Sequence, residues 1–95
     1  MIPVHRVLPD LLGEIVRRQP LSPAKVDFAW RTAVGPAIAR VSAVQLGADG
    51  TLRVKVDDRR WEREIDRVGD VIRARLDRLL GADLRRVDVY VRPAR

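Results

Sequence analysis

Apolar residues recur along this chain in two periods, and the changes between them divide it into elements. Leu11, Leu12, Ile15 and Val16 follow a helical spacing. The helix starts at Pro9, whose missing N–H costs nothing in a first turn, and runs to about Gln19. Gly13 weakens it by about 1 kcal/mol relative to alanine, and Pro20 stops it. Ser22-Pro23 then signals a second start, with serine as N-cap and proline at the first helical position. Val26, Ala29, Trp30, Ala33, Val34 and Ala37 fall on one face of that helix, until Gly35-Pro36 breaks or kinks it. Phe28 lies off this stripe and either packs against a second element, the favoured reading, or is an exposed anchor. A short turn carries Ile38 and Ala39.

From about Val41 the period falls to two. Val44 and Leu46 alternate with Ala43 and Gln45, and Leu52, Val54 and Val56 alternate with Arg53 and Lys55. Gly47-Ala48-Asp49-Gly50 between them is hairpin chemistry, so residues 51–57 return antiparallel to the first strand. Residues 58–80 read as the longest helix, with Trp61, Ile65, Val68, Ile72, Leu76 and Leu79 on one stripe. Gly69 is placed to divide it in two, and Gly81 ends it. Val87, Val89 and Val91 alternate with Asp88, Tyr90 and Arg92 in a third strand, closed by Pro93.

This order, ααββαβ, predicts an α+β fold: a two-layer sandwich in which helices cover one face of a three-stranded sheet. Residues 9–92 form one domain, between tails at 1–8 and 93–95. The uncovered sheet face then carries Arg53, Lys55, Arg86, Asp88, Tyr90 and Arg92.

Composition narrows the function more than the fold. The 95 residues carry a net charge of +6, supplied almost wholly by arginine, since Lys25 and Lys55 are the only lysines. A basic balance favours a polyanionic partner. The same excess also follows from a coding bias towards Ala, Val, Leu, Arg, Gly and Asp, with no asparagine. No cysteine is available for a disulfide, a thiolate metal site or a nucleophile. His5, the single histidine, has no neighbouring ligands, so no metal site is expected. Neither a membrane span nor a secretory signal is legible, and a cytoplasmic, nucleoid-associated protein is expected. No Gly-x-x-x-x-Gly-Lys loop is present. The expectation is a binder with no catalytic residues, no cofactor and no small-molecule substrate.

Three blocks in order resemble a known family. The first is Phe28-Ala29-Trp30-Arg31-Thr32-Ala33-Val34-Gly35-Pro36-Ala37-Ile38-Ala39. The second is Gly50-Thr51-Leu52-Arg53-Val54-Lys55-Val56-Asp57 followed by Trp61-Glu62-Arg63-Glu64-Ile65. The third is Leu76-Asp77-Arg78-Leu79-Leu80-Gly81 with the closing strand Val87-Asp88-Val89-Tyr90-Val91. Together they resemble the DciA family, over about residues 9–92. The resemblance implies a K-homology-like fold, a replicative DnaB-type helicase as partner, and binding to DNA, single-stranded or forked and with low sequence specificity. It also implies that Trp61 is the best-marked position for helicase function. Many members carry a flexible extension, of which little is expected here. A K-homology domain grips nucleic acid with a Gly-x-x-Gly loop between two helices. Here that spacing occurs only at Gly47–Gly50, between strands, and a single glycine stands near Gly69.

The candidate sites follow. Trp61, with Arg60 and Glu64, is the expected helicase contact; the indole also reads as a core anchor, and one ring serves both by burying one edge and exposing the other. Arg59, Arg60, Arg63 and Arg67 lie largely opposite the apolar stripe, either as a solvated face balanced by Glu62, Asp66 and Asp70 or as a phosphate-contacting ridge continuous with Arg53 and Lys55. Arg86 and Arg92 flank Tyr90, which reads as an ordinary exposed strand residue or as a base-stacking platform. Two other functions remain open: a K-homology-like RNA-binding module, and a structural adaptor whose charge is only compositional.

Overall fold

The computed structural model of the chain describes residues 14–93. The expected tails, Pro9, Leu11, Leu12, Gly13 and His5 lie outside that range, apart from Pro93.

Residues 14–18 are helical (α1) and stop at the bend before Pro20. Val16 joins the core but Ile15 does not; its side chain is exposed. Helix α2, Pro23–Val34, is capped as expected, the Ser22 hydroxyl oxygen accepting from the Lys25 backbone N–H at 3.1 Å. Gly35, at φ 82°, ends it and starts the short α3, Pro36–Arg40. Because the break turns the chain, Ala37 leaves the shared face and is exposed. Phe28 packs against the core as expected.

Strands β1 (Ser42–Leu46) and β2 (Thr51–Val56) pair antiparallel, with Val44 opposite Val54 and Leu46 opposite Leu52. The hairpin closes through the Gly47 and Gly50 amides, and Gly50 adopts φ 83°. A Cβ there would meet the Arg85 side chain at 2.7 Å, so both backbone and space call for glycine. The expected long helix is two: α4, Arg59–Arg67, and α5, Gly69–Leu80. The break falls at Val68, and the stripe from Trp61 to Leu79 still faces the core on both pieces. A single 3₁₀ turn, Gly81–Asp83, leads into β3, Arg86–Val91.

β3 pairs with β2 in parallel, Leu52 beside Val87, Val54 beside Val89 and Val56 beside Val91. The sheet is therefore mixed, in order β1-β2-β3, and α4 with α5 forms the crossover that a parallel pair requires. Helices cover one face, as the alternation predicts. Leu52, Val54 and Val56 are fully buried beneath them, with Trp30, Leu76 and Leu80. Each such side chain contributes about 1.5–3 kcal/mol by leaving water. The Trp30 indole N–H donates to the Ser42 hydroxyl at 2.8 Å, and that hydroxyl donates to the Ile38 carbonyl at 2.6 Å. The core's largest polar group is thus satisfied, and α2, α3 and β1 are tied together.

Candidate functional site

The start of α4 brings the expected contact residues together. Asp58 is the N-cap: its carboxylate accepts from the Arg60 backbone N–H at 2.8 Å and from the Arg60 guanidinium at 3.2 Å. These bonds, the Arg60 side chain's first, hold the Asp58 carboxyl below its ordinary value. Trp61 follows in the first turn. It is half-buried, with the indole against the core and the remainder open to solvent. Ile65, one turn on, is buried and fixes the rotation of the helix. Arg60 and Glu64 are one turn apart on one flank of Trp61. Glu64 accepts two hydrogen bonds from Arg67, which lower its carboxyl below the usual carboxylate range. Arg59 and Arg63 are exposed on the side away from Ile65, and neither makes an ion pair among the described residues.

A second surface is the uncovered face of the sheet. The register sets Gln45, Arg53 and Asp88 in one row, and Ala43, Lys55 and Tyr90 in the next. Arg53, Lys55, Tyr90 and Arg92 are all exposed. Arg86 is exposed too, but its guanidinium is engaged by Asp88 at 3.1 Å. At the hairpin end, Asp49 accepts from the Thr51 amide at 3.0 Å, and that bond is the main reason its carboxyl titrates low.

The expected continuous ridge does not form. α4 packs Ile65 on the helix side of the sheet, whereas Arg53 and Lys55 project from the other side. Arg59, Arg60, Arg63 and Arg67 therefore occupy one layer, and Arg53, Lys55, Arg86, Tyr90 and Arg92 the opposite one. Periodicity along one element assigns faces to that element; it does not say which layer a neighbouring element's outer face belongs to.

Two features escaped the sequence reading. Lys25 is buried, and its ammonium donates to the carbonyls of Arg17 at 3.1 Å and Gln19 at 2.7 Å. It satisfies orphan carbonyls at the end of α1 and docks that helix on α2. The one available signal was the use of lysine where the chain mostly uses arginine, and the exposed Lys55 shares it. The second feature is a groove of about 280 Å³ between β3 and the α4–α5 junction, whose apolar lining is Ile65, Ile72, Val87 and Val89. It is no larger than the smallest pockets that enclose small-molecule ligands, which run from about 300 Å³. Among the described residues no group of three or more His, Cys, Asp or Glu side chains is placed to hold a metal, and no helix is long and apolar enough to cross a membrane.

Comparison with known proteins places the chain. The family model described as Dna[CI] antecedent, DciA, matches residues 3–89. No curated protein matches.

Proposed function

Because the chain belongs to the DciA family, whose role is of the DnaB-helicase-loader type, we propose that it is an accessory of the replicative helicase that performs no chemistry of its own. The observation carrying this reading is Trp61, anchored in the core yet open on one side and flanked by Arg60 and Glu64. An indole held this way meets a partner with little loss of side-chain freedom, and tryptophan is enriched among residues that dominate interfaces. Arg53, Lys55 and Arg92 on the uncovered sheet face would hold DNA electrostatically, with Tyr90 beside Lys55 as a stacking surface. Arg86, engaged by Asp88, would contribute less; Arg59, Arg63 and Arg67 would meet phosphates on the helicase side.

Such a protein acts by differential binding: it favours a ring state that admits single-stranded DNA only by binding that state more tightly. The reading puts it in the cytoplasm, at the nucleoid. Co-purification with the replicative helicase, followed by single-strand loading without a nucleotide-dependent loader, tests it. Trp61→Ala, folded by circular dichroism, should lose helicase binding; full binding by that variant would remove Trp61 from the contact. Arg53→Ala and Lys55→Ala should each flatten the salt dependence of single-strand affinity by about 0.7 in log–log slope. Tyr90 beside Lys55 also suits an RNA-binding module, and direct competition between RNA and DNA oligonucleotides separates the two readings.

A further inference from the structure

The chain spends its two lysines in opposite ways. Lys25 is buried, and two backbone carbonyls hold its ammonium. Lys55 is exposed on β2, on the open face of the sheet. Among the described residues no hydrogen bond or ion pair engages its ammonium. Its neighbour on β1 is Ala43, which offers only a methyl group, and its neighbour on β3 is Tyr90. The amine is therefore uncovered.

The cations around it are arginines. Arg53 lies two residues back on the same face, about 6.5 Å away along the strand. Arg92 follows Tyr90 by two residues and is exposed. Neither guanidinium is held by a hydrogen bond or a salt bridge among the described residues. Arg53 acts on Asp49 only through its field, as a minor cause of that carboxyl's low titration. The acid beside Arg53, Asp88, is occupied by Arg86 at 3.1 Å. A guanidinium stays protonated and grips phosphoryl oxygens through its fork of N–H donors. A primary amine can shed a proton and attack a carbonyl. Lys55 is thus a nucleophile between two phosphate-holding groups, while the other lysine is under cover.

We propose that Lys55 is an acylation site for acyl phosphates, with Arg53 and Arg92 holding the phosphate while the amine takes the acyl group. The ammonium first gives one proton to water. The amine lone pair attacks the acyl carbonyl carbon, an N–C bond forms, and the C–O bond to phosphate breaks. Inorganic phosphate leaves with that electron pair and takes the surplus proton on nitrogen. The product is a neutral amide, so the sheet face loses one positive charge. The surface around Trp61 is untouched. That the loss weakens DNA binding rests on the proposed function; the site itself does not.

The test incubates the folded full chain with acetyl phosphate and maps the acetyl groups by peptide mass spectrometry. Lys55 should be modified well ahead of Lys25, which reacts only as α1 opens. Replacing both Arg53→Gln and Arg92→Gln should slow acetyl phosphate roughly tenfold and leave modification by a neutral acetyl ester at its wild-type rate. After treatment, the wild-type chain should lose about 0.7 from the log–log salt slope of single-strand affinity. Lys55→Arg, which cannot be acylated there, should show no change on treatment. Equal modification of Lys25 and Lys55 in the folded chain would overturn the site. So would a double variant that reacts with acetyl phosphate as fast as wild type, or one slowed equally towards both donors. Selective acetylation of Lys55 with an unchanged salt slope would uphold the site and remove nucleic acid from the sheet face.

Discussion

The two tryptophans occupy regions built on opposite principles. Trp30 lies on α2 under the sheet, fully buried, with its N–H spent on Ser42. Trp61 lies in the first turn of α4, half-buried, with no side-chain hydrogen bond among the described residues. Both sit on apolar stripes of similar spacing, so periodicity alone treats them alike. What distinguishes them is position within the element. A residue in mid-helix is roofed by the next layer; one just after an N-cap has its neighbours on one side only. The first region holds the protein together, and the second leaves apolar surface available to something else.

Substitutions sharpen this contrast. Trp30→Ala should cost about 3–5 kcal/mol, read as a fall in the urea midpoint. Trp61→Ala should cost about half as much, because part of the ring is already in water. Equal losses would mean that the indole of α4 is a core residue and nothing more. Ser42→Ala should cost about 1–2 kcal/mol by leaving the Trp30 N–H unpaired. Most of that cost should vanish in a Trp30→Phe background, where no such donor exists.

The smallest effect is on pH. Asp58 and Glu64, on either side of Trp61, have depressed carboxyl values when folded. Their stabilisation is therefore fully present above the ordinary carboxylate range and is lost as pH falls through the folded values. Stability should stay level from neutral pH down to that range and drop below it. Asp58→Asn should shrink the drop, and the Trp30 region, which holds no carboxylate in its hydrogen-bond chain, should not contribute.

The strands were legible because one sheet face is open to water. Leu52, Val54 and Val56 against Arg53 and Lys55 form an alternation that only a half-covered sheet requires. The N-cap at Ser22, the hairpin glycines and the division near Gly69 were legible from local chemistry. The separation of the α4 arginines from Arg53 and Lys55 was not, because it depends on which layer each element joins. Lys25 was illegible for a related reason: a lysine reads as surface until the carbonyls it meets, six and eight residues back, are brought under it. The groove was illegible because it is a space between elements, and Gly69 reads there only as a helix breaker.

The parallel pairing of Leu52 with Val87 has a kinetic consequence. The hairpin of β1 and β2 closes over a handful of residues, on a scale of about 1–10 μs. The third strand has to wait until two helices have been laid down between it and its neighbour, at a larger loop-closure cost. It is expected to be the last piece stitched into place, and the first to fray when the molecule breathes.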